Sequence, residues 1–284
     1  MKTKLILLLI GIITTFISCD HSNRKKENPV VVTKHSPSNP EKIDEQVQLD
    51  SIRLDKVLQA AIKLANHQFG KDTFTQKYKV SLDDIPISVE MDLDYFFSKT
   101  NPHLIVKRTD PNNIYLDVYS KGKHSFEKVL SHKEWTMTYV SDTIRDINGD
   151  GRKDFVVNWY GSTGCCLKAF SNVYLLRTDK KGFSKNLEFI NPTFSPSEKI
   201  IRGVCYGQPG ETELYKYKWN NEIVDTLEYV SFQKNSKGIK TGKVIITNDR
   251  PYSKQCKTLN VLNSVPSEYQ KIVGYEWFLG MGLN

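Results

Sequence analysis

The 284-residue chain has none of the short signatures that mark the common hydrolases and nucleotide enzymes. It holds no GxSxG elbow, no P-loop and no HExxH pair. His67, His103, His124 and His132 are scattered without ligand spacing, and the adjacent Cys165-Cys166 is not the CxxC that grips zinc. Gly161-Ser162-Thr163-Gly164 is rich in glycine but lacks the lysine of a phosphate cradle. No arginine–aromatic stripe is present, which argues against nucleic acid as a partner. The longest apolar run, Leu5 to Ile17, is too short for a comfortable bilayer span.

What is present is concentrated in Asp146-Ile147-Asn148-Gly149-Asp150-Gly151-Arg152-Lys153-Asp154. Oxygen-bearing side chains stand at Asp146, Asn148, Asp150 and Asp154, and two glycines let the backbone turn them inward. A hard cation such as Ca²⁺ takes about six to eight oxygens at roughly 2.3–2.6 Å, and this spacing offers them from one loop. An EF-hand would need a glutamate at its twelfth position, where Val157 stands, so that fold is excluded. The bland reading is an Asn/Gly hairpin without metal, but its clustered carboxylates would repel one another.

The N-terminus points to export. Lys2 and Lys4 precede the apolar run, and small residues close it, as in a secretory signal over residues 1–18. Phe16-Ile17-Ser18-Cys19 resembles a bacterial lipobox, which implies a lipidated Cys19 and a membrane anchor in the cell envelope, with the outer membrane as the expected location. Two or three acyl chains hold a protein stably, because each buried CH₂ contributes about 0.8 kcal/mol. Residues 19–48, with Pro29, Pro37, Pro40 and many polar side chains, read as a flexible tether. Without residues 1–18 the chain keeps 38 of its 40 basic residues against 32 acidic ones, an excess suited to an anionic lipid or polymer surface. In an oxidising compartment Cys165, Cys166, Cys205 and Cys256 are candidates for two disulfides. Three pairings exist, the least strained sending Cys165 or Cys166 to Cys205.

The folded part is expected over residues 49–284. Leu54, Val57, Leu58, Ala61, Ile62, Ala65 and Phe69 recur at helical steps, with Asp50 or Ser51 as cap and Gly70 as stop. From Lys77 onward, short β-branched and aromatic runs alternate with turn residues. Among the strands expected are Tyr78–Leu82, Ile87–Leu93, Trp135–Val140, Phe155–Tyr160, Phe183–Phe189 and Ile223–Phe232. Asn113-Ile114-Tyr115-Leu116 followed by Lys121-Gly122 is echoed by Asn172-Val173-Tyr174-Leu175 followed by Lys181-Gly182. The expectation is an all-β fold, a small or irregular propeller-like array of antiparallel sheets preceded by one amphipathic helix. Blades of about 40–45 residues leave no room for a seven-bladed ring.

The nine-residue loop and Phe155-Val156-Val157 after it resemble the calcium loops of integrin-type FG-GAP and VCBS repeat proteins. That resemblance implies Ca²⁺ held by the side chains of Asp146, Asn148, Asp150 and Asp154 and the carbonyl of Arg152. The wider stretch 140–235 resembles envelope proteins with one such loop in a small propeller-like domain, some of them lysozyme inhibitors. The leading expectation is a non-catalytic, lipid-anchored, calcium-binding protein whose β domain binds a protein or glycan. A lysozyme inhibitor is one alternative. The other is a glycan hydrolase using Glu90, Asp92 and Asp94, which alternate along a strand and share one face. The plainer account of that acidic row is the solvated face of a half-buried strand.

Overall fold

The structure is a computed structural model that describes residues 45–281 except 83, 165 and 181. The signal segment, Cys19 and nearly all of the tether therefore lie outside the described residues. No helix within them is long and apolar enough to cross a membrane.

Helix α1 runs Glu45–His67, beginning upstream of the Asp50 or Ser51 cap expected from the sequence. Its first residues thus fall within the segment read as tether, and they are ordinary helix formers such as Glu45, Gln46 and Gln48. Leu54, Val57, Leu58, Ala61 and Ala65 are buried, so the three- and four-residue stripe is a packing face.

Three antiparallel sheets follow, each a meander whose strand order follows the chain. The first holds β1 (Phe74–Leu82), β2 (Ile85–Asp94), β3 (His103–Thr109), β4 (Asn113–Lys121) and β5 (Phe126–Trp135). The second holds β6 (Tyr139–Arg145), β7 (Asp154–Tyr160), β8 (Ala169–Tyr174) and β9 (Leu187–Ile190). The third holds β10 (Pro192–Ser195), β11 (Ile200–Val204), β12 (Leu214–Asn220), β13 (Ile223–Lys234), β14 (Lys240–Thr247) and β15 (Thr258–Leu262). A short helix, α2 (Tyr275–Leu279), lies near the C-terminus. The molecule is mostly β with one N-terminal helix, and none of the sheets closes into a barrel.

Period-two patterning sets how these elements stack. Ile87, Val89, Met91 and Leu93 of β2 alternate toward α1 and form the first core with Leu104 and Val106. The opposite face of that sheet gives Leu116, Val118 and Leu130 to a second core, met by Phe155, Val157 and Tyr174 of the second sheet. The other face of the second sheet sends Val156, Val173 and Phe189 against Ile201, Tyr215, Tyr217 and Trp219 of the third. Val204, Leu214, Val230 and Val244 then close on Trp277 and Phe278 of α2. The order is helix, sheet, sheet, sheet, helix.

Two expected strands are corrected. Trp135–Val140 is broken by a turn at 136–138 between the end of β5 and the start of β6: Thr138 donates its N–H to Trp135 O at 3.0 Å and its hydroxyl to Glu134 Oε1 at 2.7 Å. Phe183–Phe189 shrinks to β9, with Phe183 making only an isolated bridge to Leu176. The first member of the internal echo is a genuine hairpin, β4–β5, whose turn is closed by Gly122 N–H on Ser125 O at 2.9 Å.

Candidate metal centre

The nine-residue loop joins β6 to β7 at the seam between the second and third sheets. Ile147 is fully buried in the core shared by those sheets and pins the loop from within. Gly149 has φ +73°, and a Cβ there would meet Pro196 O at 2.0 Å, so the loop lies directly on the 3-10 turn Pro196–Glu198 that follows β10. Gly151 also has positive φ, +81°, but faces open space.

The loop is built from side-chain-to-backbone turns, the usual work of Asp and Asn. Asp146 accepts the N–H of Gly149 at 2.7 Å and of Gly151 at 2.9 Å. Asn148 Oδ1 accepts the N–H of Asp150 at 3.1 Å, and its amide donates to Asp150 Oδ2 at 3.0 Å. Asp150 Oδ1 accepts the N–H of Arg152 at 2.8 Å. Asp154 is fully buried, with one oxygen on the N–H of Ile147 and the other on that of Leu176, both at 2.9 Å.

Burial pushes the Asp154 carboxyl up to about 7; its two backbone hydrogen bonds pull the other way, and the nearby Asp150 and Asp146 charges raise it further. Asp154 therefore senses both of the other carboxylates of this loop. Arg152 is the cation at hand. Its guanidinium meets Asp150 Oδ2 at 2.5 Å and donates from Nε to Leu176 O at 3.1 Å.

The structure thus brings Asp146, Asn148 and Asp150 onto one turn and sets Asp154 beneath it. The donors are all hard oxygens, which suits calcium, and a carboxylate has about four acceptor sites, so none of the three aspartates is saturated. Their oxygens are nevertheless turned toward N–H groups and Arg152. Among the described residues no three His, Cys, Asp or Glu side chains converge as a metal group. The Arg152 side chain is a participant that the sequence reading, which used only its carbonyl, left out. Its place beside Asp150 in the loop was the available signal.

The other sequence candidates are dispersed. Glu90 pairs with Lys77 at 2.7 Å, across the β1–β2 ladder. Asp92 and Asp94 border a shallow groove of about 330 Å³ with Thr73, Phe74 and Phe96, at the open end of the first sheet. Cys165 lies outside the described residues. Cys205 sits in the core with Tyr215, Tyr217 and Tyr229, where burial pushes its thiol up to about 12. Cys256 is half-buried in the β14–β15 connection, and no disulfide joins the described cysteines.

No protein-family model matches the chain, and no curated protein matches it. A solved structure described as "Structure of a Xanthomonas Type IV Secretion System related protein" aligns at TM-score 0.32 and 15% identity, covering 65% of this chain and 93% of that one. Likeness at that level carries no argument about the site.

Proposed function

We propose that this chain is a lipid-anchored, calcium-binding and non-catalytic protein of the bacterial envelope, which presents its β domain to a protein or glycan. The observation that carries the reading is the β6–β7 loop, with Asp146, Asn148 and Asp150 on one turn and a buried Asp154 below. A calcium ion there would neutralise three mutually repelling carboxylates and draw their oxygens away from the N–H groups they now accept. Asp146, Asn148, Asp150 and Asp154 would hold it with the carbonyl of Arg152. Its role is mechanical: the loop rests on Pro196, so a braced loop ties the second sheet to the third. The three meanders serve as blade-like units of an open, propeller-like array.

Calorimetric titration of chelator-treated protein with Ca²⁺ tests the centre. One saturable site that disappears in Asp150→Ala supports it; no heat in the wild type refutes it. The anchor has its own test. Cys19→Ser should release the protein from membranes or block its maturation, because the thioether that carries the lipid cannot form. Unchanged membrane fractionation and acyl labelling would remove the anchor. Turnover on a glycan or peptidoglycan panel, lost in Glu90→Gln, would overturn the non-catalytic assignment.

A further inference from the structure

Positive charge is unevenly placed on this molecule. Between Tyr229 and Ser267 stand six lysines and one arginine against a single aspartate, a net +6 of the chain's formal +8. This stretch is the outer edge of the third sheet: the second half of β13, then β14, β15 and their connections. The one aspartate, Asp249, is spent locally, accepting from Arg250 N–H at 2.7 Å and Ser253 Oγ at 2.6 Å. Arg250 is exposed, with its guanidinium hydrogen-bonded to Tyr229. The acid facing the surface is Glu211, which pairs with Lys234 and, at 3.7 Å, with Lys240. Lys237, Lys243, Lys254 and Lys257 form no ion pair with any described residue.

Apolar side chains stand among these lysines. Ile239 is 60% exposed at the β13–β14 turn, between Lys237 and Lys240. Tyr252 is 88% exposed, and its phenol lies near enough to Lys234 to act on that charge. Lys240 Nζ approaches Gly210, which abuts Gly280, so the half-exposed Met281 borders the same surface. Lys234, Lys240, Tyr252 and Met281 therefore border one surface, with Ile239 beside Lys240 at its rim and the unpaired lysines along the same sheet edge.

We propose that this edge, led by the β13–β14 hairpin, is a docking surface for an anionic lipid bilayer. Free lysines answer the headgroup charge, and Ile239 with Tyr252 enters the interfacial layer, as apolar side chains flanked by lysine do at membrane surfaces. A nucleic acid fits less well, because its phosphates give nothing to an exposed isoleucine and the stretch's one arginine is engaged with Tyr229. The contact is separate from the Cys19 anchor and does not depend on it. Where both exist, it would lay the domain against the membrane instead of leaving it at the end of its tether.

The test must report locally, because the N-terminal segment binds lipid by itself. The full chain is mixed with vesicles of phosphatidylcholine, alone or with about one-third phosphatidylglycerol, and its lysines are acetylated briefly and mapped by mass spectrometry. Each lysine near an anionic surface is worth roughly fivefold in partitioning, so modification of Lys237 and Lys243 should fall at least about threefold on the anionic vesicles only. Lys63 of α1 should not change. Salt at about 1 M, where charges are screened within about 3 Å, should abolish the difference. Equal labelling on the two vesicle types overturns the proposal. So does equal or stronger protection by soluble heparin without lipid, which would make the surface a polyanion site. Protection that survives unchanged in Ile239→Asp would also overturn it, by showing that no apolar side chain enters the bilayer.

Discussion

Gly149 and Gly151 are two residues apart and both need positive φ, yet they should respond differently to a methyl group. Alanine at either position carries the left-handed backbone penalty of about 1–2 kcal/mol. At Gly149 the new Cβ would also strike the backbone oxygen of Pro196, which cannot rotate aside, while at Gly151 it meets nothing. Gly149→Ala should therefore lower the melting temperature well beyond Gly151→Ala, and equal losses in calorimetric scans would mean that the loop does not rest on the third sheet. His103 gives a second residue-scale expectation. It is fully buried beside Phe97 and Phe183, with Nδ1 donating to Asn101 O at 3.0 Å and Nε2 without a partner. Burial holds its pKa below the ordinary histidine value, against the pull of that hydrogen bond. As pH falls below about 6.5 the unfolded chain takes a proton that the native ring refuses, so stability is lost from there down to the lowered native pKa. His103→Phe should flatten this part of the stability–pH curve relative to wild type in urea titrations. A variant that runs parallel to wild type from pH 7 to 5 would show that the ring is not held neutral.

Elements in this fold are joined by polar contacts as well as by apolar faces. Arg108 on β3 is buried beneath α1, donating to Leu54 O and to Asp117 Oδ2, both at 2.7 Å. Asp117 on β4 is also buried and takes Ser131 Oγ at 2.8 Å and Lys128 at 2.9 Å on its other oxygen. Removing one member strands a buried charge, so Asp117→Ala should cost about 3–5 kcal/mol. The double change Arg108→Met with Asp117→Leu should cost clearly less. Denaturant curves would check both, and a double variant as unstable as the single one would mean that the pair supplies net stability. Neither residue was legible as a partner of the helix, since a charged side chain in a strand reads as facing solvent. The stripe of α1 was legible because Leu54, Val57, Leu58, Ala61 and Ala65 repeat at one helical period. So was β2, whose Ile87, Val89, Met91 and Leu93 alternate without a break. Strands that bury little were not: β10 has four half-buried residues, and β15 is exposed over most of its length. Trp135–Val140 looked like one strand by composition, and the bonds of Thr138 to Trp135 O and Glu134 break it at 136–138.

For the molecule as a whole, the stacking of layers makes the β6–β7 loop a joint. Ile147 enters the core between the second and third sheets, and Gly149 lies on the turn leading to β11. The oxygens of the loop could be read from the sequence by their spacing. That they rest on Pro196, and that Arg152 also reaches Leu176 O, depends on chain segments far apart and could not. If calcium binds here, it should stabilise the entire domain and not the loop alone. A ligand specific for the native state contributes about 2.7 kcal/mol at 100 times its dissociation constant. Asp150→Ala removes a charged donor that is partly exposed and held by Arg152, so the loss without metal should be small. Melting curves of wild type and Asp150→Ala, each in calcium and in chelator, separate the two contributions. Calcium should raise the wild-type midpoint by several degrees and leave the variant nearly where chelator does, with the two proteins close together in chelator. Equal calcium shifts in both would place the ion elsewhere. If calcium has no effect on either while the chelator midpoints differ widely, the Asp150–Arg152 pair, and no metal, is what braces the joint between the sheets.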